Sequence, residues 1–288
     1  MNHPGSTPPP ALPEPIVRVP VLGFRHGAIS TGERKVPEEM AVALSYNRVG
    51  YAVMMATPKD LVDFAIGFSL SEGIVDEAGD ITGCEVIAVE QGVECRMQFG
   101  PLFGERLARR RRHLAGALGC GLCGLESLTE ATRSVPQVDS VLSVSASALA
   151  QAMREMAATQ ILNRQTHGMH AAGFFNPKDH ALVVREDVGR HNALDKIIGA
   201  VAQSGYSGND RGGGSGAVLL TSRVSIELIQ KTALFGSPII VAVSVPTAHA
   251  LRVAENAGIT VAAVARDDGF EIFTHPSRIR VGVETHVA

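Results

Sequence analysis

The chain has 288 residues, of which 45% are hydrophobic, and its formal net charge is -3 at pH 7. This length allows a sizeable core and two domains. The near-neutral charge does not point to nucleic acid as the main partner. No apolar run reaches the roughly 18 residues of a membrane span, and the start of the chain lacks the pattern of a signal peptide. We therefore expect a soluble globular protein in the cytoplasm, with no nucleic-acid or membrane partner.

The first half of the chain predicts strands around one helix. Residues 1–15 are rich in proline and predict a disordered tail. Short alternating segments up to residue 99, such as residues 40–44 and 50–55, predict β-strands. Between them Thr57 can cap a helix that Gly73 ends. Two cysteines, Cys84 and Cys95, have strand-like surroundings, so we interpret them as structural.

A different pair of cysteines, Cys120 and Cys123, lies in a stretch with three glycines in six residues. Such a stretch predicts an exposed, flexible loop, in which a thiol has no hydrophobic neighbours to pack against. Cationic residues precede it: Arg106, Arg109, Arg110, Arg111, Arg112 and His113. Because nearby cations favour the thiolate, the pair is predicted to perform sulfur chemistry, with metal binding as the alternative.

The second half of the chain predicts an α/β sheet. A helical pattern over residues 145–165 is followed by a hairpin, with strands at residues 172–175 and 181–185. Helices and short apolar strands then alternate. Helices are predicted at residues 192–201, 225–235 and 248–257, and strands at residues 217–221, 238–244 and 260–265. Short apolar strands separated by helices are typical of a sheet covered on both faces.

Polar residues gather where these strands end, which is where α/β sheets bind ligands. One cluster, residues 185–192, includes Arg190 and His191. A second is Thr221-Ser222-Arg223, directly before a helix, and a third is Arg266-Asp267-Asp268-Gly269, followed by His275-Pro276-Ser277-Arg278. Arginines, hydroxyls and helix starts suit a phosphate or nucleotide. The alternative is that these residues only cap helices and line solvated turns.

Two histidines, His167 and His170, precede the hairpin. Together with Cys120 and Cys123 they could form a four-ligand metal site. A role as proton donor or pocket wall is the alternative.

Four runs of the sequence together resemble the formate dehydrogenase accessory sulfurtransferases, the FdhD family. They are residues 120–124 (CGLCG), residues 185–196 (REDVGRHNALDK), residues 221–225 (TSRVS) and residues 274–278 (THPSR). The resemblance extends from about residue 16 to the end of the chain. It leaves out the proline-rich start and the glycines at residues 212–214.

The resemblance implies a sulfurtransferase that accepts sulfur as a persulfide from a cysteine desulfurase. The sulfur then passes to the molybdenum cofactor, in its bis(molybdopterin guanine dinucleotide) form, before that cofactor enters formate dehydrogenase. The persulfide position carries over to Cys120, with Cys123 as a helper. The cofactor-binding segment carries over to Val264, Ala265, Arg266, Asp267, Asp268 and Gly269, although these residues do not repeat the family's most familiar letters.

The resemblance also implies a homodimer and a core like that of the cytidine deaminases. The zinc signature of the deaminases is absent from this sequence, so deamination is not expected. We also expect no catalytic metal of the protein's own. The predicted fold is therefore α/β, with a cytidine deaminase-like three-layer core at residues 145–288. A smaller α+β lobe at residues 16–144 carries the Cys-x-x-Cys loop.

From the residues and the resemblance together we expect Cys120 to take up sulfur while Arg190, Arg223 and Arg266 contact cofactor phosphates. His191 and Ser222 are further cofactor-binding candidates. Two other functions fit the sequence less well. A thioredoxin-like oxidoreductase would place its Cys-x-x-Cys after a strand near the start of a small domain. A non-catalytic cofactor chaperone, with a metal-stapled loop, would tolerate Cys120→Ala.

Overall fold

The computed structural model describes residues 11–100, 103, 135–204 and 213–282. The Cys-x-x-Cys loop with Cys120 and Cys123, the arginine block before it and most of the predicted tail lie outside the described residues. Of the six α-helices in the described residues, none has the length and apolar character that crossing a lipid bilayer requires.

The strands and α-helices are numbered in chain order. The described strands are β1 (Ile16–Arg25), β2 (Ala28–Pro37), β3 (Met40–Tyr46), β4 (Val49–Ala56), β5 (Ile81–Val89), β6 (Gly92–Phe99), β7 (Val144–Ser145), β8 (His170–Asn176), β9 (Ala181–Asp187), β10 (Ala217–Leu220), β11 (Ile239–Ala242), β12 (Thr260–Arg266), β13 (Gly269–Ile272) and β14 (Ile279–Arg280). The described α-helices are α1 (Leu61–Ser71), α2 (Ala146–Thr159), α3 (Ile161–Thr166), α4 (Arg190–Gln203), α5 (Ile226–Phe235) and α6 (Ala248–Ala257).

A four-stranded sheet lies in the first half of the chain, with the order β4-β3-β6-β5. Strands β3 and β6 are parallel, and the other two pairs are antiparallel. Helix α1 packs on β5 and β6. Cys95, on β6, is buried in this core, and burial raises the pKa of its thiol to about 12. Cys84 also has a raised pKa, from burial, which agrees with a structural role for both cysteines.

The second half of the chain forms a six-stranded sheet, with the order β13-β12-β11-β10-β8-β9. The central strands β10, β11 and β12 are parallel, and the remaining pairs are antiparallel. Side chains of β10 and β11 are buried along their whole length because helices cover both faces of the sheet. Helices α4, α5 and α6 share one hydrophobic cluster with the sheet, and α2 shares the other. The predicted α/β class is confirmed.

The predicted domain boundary between residues 144 and 145 falls inside β7, which pairs with β14 near the end of the described chain. One hydrophobic cluster contains residues from both sides of that boundary, such as Leu44 and Phe174. The division into two domains stays a prediction.

Two predicted helix boundaries were wrong. Thr57 does not cap α1, because its hydroxyl accepts a hydrogen bond from Val188 N–H, and α1 begins at Leu61 instead. The predicted helix at residues 145–165 is broken at Gln160 into α2 and α3. In both cases the cause is a hydrogen bond to a residue that is remote in the sequence: Val188 binds Thr57, and Glu186 binds the start of α3.

Helices α1 and α4 cross in direct backbone contact. A Cβ atom on Gly67 of α1 would lie 1.7 Å from the carbonyl oxygen of Asp195, and one on Gly199 of α4 would lie 1.9 Å from that of Asp63. Only glycine allows two helices to approach this closely. This contact joins the four-stranded sheet to the six-stranded one, since α1 packs on the first and α4 on the second.

Candidate functional site

The strand ends that the sequence singles out lie along one edge of the six-stranded sheet. Strand β9 ends at Asp187, which pairs with His170 at the start of β8. The start of β8 lies beside the end of β10, where Thr221 Oγ1 is 3.5 Å from His170 Nδ1. Because α4 follows β9 and α5 follows β10, both helices begin at this edge and run in the same general direction. The end of β12 lies on the same edge, since Arg266 Nη1 donates to Val243 O, just after β11, at 2.6 Å.

Some polar residues of the first cluster are structural. Arg185 Nε donates to Asp63 Oδ2 at 2.7 Å, which ties β9 to α1. The buried Glu186 carboxylate accepts the N–H groups of Leu162 and Asn163, at 2.9 and 2.7 Å, and so caps the start of α3. This remote cap explains why the predicted single helix breaks at Gln160.

Asp187 is structural too, and it sits in a fully buried network. Its Oδ2 lies 2.6 Å from Lys196 Nζ, and both side chains are wholly inaccessible to solvent. The same carboxylate accepts N–H groups of Thr57, Gly189 and Asn192. These bonds fix the turn that leads into α4.

The other two candidates of the first cluster, Arg190 and His191, differ from Arg185, Glu186 and Asp187 because their side chains are not fully paired with other described parts of the protein. Within the part of the chain that the structure describes, no hydrogen-bond partner reaches four buried side-chain atoms of these two helix starts: Arg190 Nε, His191 Nε2, Ser225 Oγ and Glu227 Oε2. Two of these four residues were predicted from the sequence, and Ser225 and Glu227 were missed. Unpaired buried polar atoms are uncommon in native proteins and call for an explanation.

The helix starts at this edge are also unusual. Ser145 and Thr247 accept hydrogen bonds from the first turns of α2 and α6, as N-cap side chains normally do. Ser225 is the N-cap residue of α5, yet its hydroxyl accepts no such bond. Gly189, at the N-cap of α4, has no side chain to offer. Two helix N-termini without a side-chain cap therefore lie beside the unpaired atoms, where an anionic or polar ligand would be stabilised.

His191 has the most perturbed environment among these residues. Burial, together with the positive charges of Arg190 and Lys231, lowers the pKa of its imidazole to about 4. Glu227 and Glu72 oppose this shift. The ring is therefore neutral at pH 7, and it can donate one hydrogen bond and accept another.

This shift predicts a pH dependence of stability. Between pH 6.5 and pH 4 the folded protein binds fewer protons at His191 than the unfolded chain, so the contribution of His191 is complete above pH 6.5 and is lost on acidification. The loss should reach about 2 kcal/mol at pH 5. We expect urea unfolding to show a fall in stability between pH 7 and pH 5 that is about 2 kcal/mol smaller in His191→Gln than in the unmodified protein. An equal fall in both proteins would contradict the assignment.

The second cluster lies at the end of β10, beside His170. Ser222 is buried and donates from Oγ to the carbonyl oxygen of Arg223, while Arg223 itself is exposed. Thr221 Oγ1 accepts from Ala171 N–H and so holds the end of β10 against β8. Of the three, Arg223 extends into solvent, where a ligand phosphate could meet it.

The third cluster is a hairpin turn between β12 and β13. Val264 has a φ of 57°, in the left-handed region, at an irregularity in the pairing of the two strands. Such a backbone is strained for a β-branched residue, which marks the end of β12 as unusual. The side chain of Ala265 is buried in the core, whereas Arg266, Asp267 and Asp268 are exposed. A Cβ on Gly269 would meet nothing within 4 Å, so the turn is open on that side.

The remaining candidates are distributed differently. Arg278 donates to the carbonyl oxygens of Gly258 and Ser140, so residues 275–278 tie chain segments together. His170 is half-buried at the edge of the six-stranded sheet where the strand ends lie, whereas His167 is exposed and forms the C-cap of α3. Among the described residues, no group of three or more His, Cys, Asp or Glu side chains could hold a metal ion. The predicted set of His167, His170, Cys120 and Cys123 extends outside those residues.

The fold and this edge define an α/β protein with a cluster of polar side chains at the carboxyl ends of its parallel strands, the position at which α/β sheets bind ligands. The chain belongs to the FdhD/NarQ family, whose model matches residues 37–280. A sulfur carrier protein FdhD from Agrobacterium fabrum is 48% identical over 263 residues, which are 91% of this chain and 95% of that protein. The protein of the same name from Brucella melitensis is 45% identical over 262 residues, covering 91% and 96%.

A solved structure is similar as well. The crystal structure of a proposed formate dehydrogenase accessory protein from Desulfotalea psychrophila superimposes with a TM-score of 0.70. The two sequences are 25% identical, and the match covers 92% of this chain and 99% of that one.

Proposed function

We propose that this protein is a sulfur carrier for the maturation of formate dehydrogenase. It accepts sulfur as a persulfide on Cys120 from a cysteine desulfurase and delivers it to the molybdenum cofactor. The observation that carries this proposal is the 48% identity, over 91% of the chain, to a protein named as a sulfur carrier. We propose formate dehydrogenase as the enzyme that receives the cofactor, because a solved structure of similar fold is described as a formate dehydrogenase accessory protein.

The loading step follows from thiol chemistry. The Cys120 thiolate attacks the terminal sulfur of the donor persulfide, the sulfur–sulfur bond of the donor breaks, and the donor leaves as a thiolate. Cys120 then carries the S–SH group. The arginine residues that precede the loop in the sequence favour the attacking thiolate.

The delivery step uses the second cysteine. The Cys123 thiolate attacks the sulfur atom of the Cys120 side chain, and the terminal sulfur leaves as hydrosulfide for the cofactor. A Cys120–Cys123 disulfide remains, which a dithiol reductant returns to two thiols. In this scheme the two electrons for delivery come from the cysteine pair itself.

The cofactor, bis(molybdopterin guanine dinucleotide), is the cargo of this reaction and binds at the edge of the six-stranded sheet. Arg190, Arg223 and Arg266 are the candidates for its phosphates, and the uncapped starts of α4 and α5 favour negative charge there. His191, Ser222 and the turn at residues 264–269 are further candidates. The proposal includes a homodimer in the cytoplasm and no catalytic metal of the protein's own.

We also propose that the six-stranded core is of the cytidine deaminase type. Two features support this comparison: three parallel strands are flanked by an antiparallel hairpin, and α4 and α5 both begin at the edge of the sheet where the strand ends lie.

The experiment that tests the sulfur carrier is intact-mass spectrometry after incubation with a cysteine desulfurase and cysteine. We expect the protein to gain the mass of one sulfur atom, and we expect Cys120→Ala to abolish the gain completely. In Cys123→Ala the persulfide should form but should not be delivered.

The matched control is Cys84→Ala, because Cys84 is a partly buried thiol whose raised pKa disfavours the thiolate. It should load sulfur like the unmodified protein. If the unmodified protein gains no sulfur and instead holds zinc at one ion per chain, the sulfur carrier is excluded. A cofactor chaperone with a metal-stapled loop would then be the better explanation.

A further inference from the structure

Helices α4 and α5 are held in register by a buried ion pair. Lys231 Nζ lies 2.9 Å from Asp195 Oδ1, and it also donates to Ser71 and Glu72 at the end of α1. Burial raises the pKa of Asp195 to about 6, with Lys231 opposing the rise, so the carboxylate is ionised at neutral pH. This ion pair fixes which residues of α4 and α5 face each other.

One helical turn before this pair stands a second pair of polar residues. His191 precedes Asp195 by four residues, and Glu227 precedes Lys231 by four, so each lies about 6 Å closer to its own helix start on the same helix face. Because both helices begin at the same edge, His191 and Glu227 come close together there. The charge of Glu227 acts on the imidazole of His191, which agrees with this placement.

The unpaired atoms at this point are both donors and acceptors. Arg190 Nε–H donates, Glu227 Oε2 accepts, and the Ser225 hydroxyl and the neutral His191 ring can do either. A phosphate offers only acceptors, and the Glu227 carboxylate would repel it. A group with N–H donors beside a carbonyl oxygen matches this combination of atoms.

The 2-amino-4-oxo edge of a guanine or a pterin has this pattern. Its ring N–H and exocyclic amino group are adjacent donors that match the two oxygens of a carboxylate, and its carbonyl oxygen is an acceptor. Adenine, cytosine and uracil do not present two adjacent donors of this kind. Such buried readout by paired hydrogen bonds discriminates strongly against analogues that lack one donor.

We infer that Glu227 binds the 2-amino-4-oxo edge of a guanine or pterin ring, and that Arg190, through its Nε–H, and Ser225 contact the carbonyl side of that ring. Arg190 then binds the ring, and Arg223 and Arg266 remain the candidates for the phosphates. The inference rests on the proposed function, because the cargo of that function contains both rings. It adds Glu227 and Ser225 to the ligand site and gives them the task of recognising the ring rather than the phosphates.

The test is isothermal titration calorimetry of the purified full chain with GMP, with IMP and with neopterin. IMP differs from GMP only in lacking the 2-amino group, and we expect it to bind at least about 10-fold more weakly. Glu227→Gln should weaken the tighter of GMP and neopterin by about 10- to 100-fold and should bring GMP and IMP close to equal affinity. Ser225→Ala should cause a loss of about 3- to 10-fold. Whichever of GMP and neopterin binds more tightly identifies the ring.

The matched control is Glu155→Gln, on the exposed side of α2, which covers the opposite face of the sheet. It should bind both ligands as the unmodified protein does, and circular dichroism melting curves establish that all variants are folded. Equal affinity for GMP and IMP in the unmodified protein, no binding of GMP or neopterin, or unchanged affinity in folded Glu227→Gln would each overturn the inference. A protein that loads sulfur on Cys120 but gives one of these results keeps the proposed function and loses only this site.

Discussion

Replacing Gly199 by alanine is expected to destabilise the protein by about 3 kcal/mol or more, the upper end of what overpacking costs. The added Cβ would lie 1.9 Å from the carbonyl oxygen of Asp63 and 2.8 Å from the backbone nitrogen of Gly67. These are backbone atoms of α1, so the clash cannot be relieved by turning a side chain. Helix α1 must move away from α4, and the core that joins the two sheets opens.

The direction of the stability change in Gly199→Ala distinguishes a packing effect, which destabilises, from an effect of helix propensity, which stabilises. Alanine is favoured over glycine inside a helix by about 1 kcal/mol, so propensity alone would make Gly199→Ala more stable. We therefore expect urea unfolding to show a large loss for Gly199→Ala and a similar loss for Gly67→Ala. Gly50→Ala is the control, because a Cβ at Gly50 would meet nothing within 4 Å, and its stability should stay within about 0.5 kcal/mol of the unmodified protein. A Gly199→Ala protein as stable as that control would contradict the close helix contact.

The close helix contact could not be predicted from the sequence. Gly67 and Gly199 each interrupt a helical pattern, and in a sequence such a residue indicates only a weak helix. Their meaning comes from a partner helix more than 100 residues away. The alternation of strands and helices after residue 170 could be predicted, because short apolar strands and amphipathic helices are local patterns.

The polar cluster at residues 185–192 illustrates the same limit for the site. Composition alone predicts a ligand site there, but Glu186 and Asp187 are used to cap α3 and to fix the start of α4. Their partners, Leu162 and Thr57 among them, are remote in the sequence. Among the described residues, Arg190 and His191 are the members of this cluster that have unpaired atoms for a ligand. They can be identified only after the hydrogen bonds of Glu186 and Asp187 are known.

Ser225 and Glu227 were missed for a related reason. A serine just before a helix and a glutamate in its first turn are the ordinary signs of a capped helix start. The unusual feature is that the Ser225 hydroxyl accepts no hydrogen bond from the helix and that Glu227 Oε2 is buried without a partner among the described residues. Both facts depend on how the side chains are placed in three dimensions, which the local sequence does not determine.

The second large effect is expected from Lys196→Met. Lys196 Nζ is wholly buried, lies 2.6 Å from Asp187 Oδ2 and also donates to Thr57 O. Methionine fills much of the same volume but leaves the Asp187 carboxylate buried without its counter-charge. Removing one partner of a buried ion pair costs about 3 to 5 kcal/mol, and we expect a loss of this size in urea unfolding.

A double-mutant cycle identifies the cause of that loss. If the uncompensated charge is responsible, Asp187→Asn combined with Lys196→Met should lose at least about 2 kcal/mol less than the sum of the two single losses. The exposed Lys178→Met is the matched control and should change stability by less than about 0.5 kcal/mol. Additive losses would show instead that Lys196 matters through its packing. Because Asp187 also holds Gly189 and Asn192, the loss of its counter-charge should loosen the start of α4, and with it Arg190 and His191 at the ligand site.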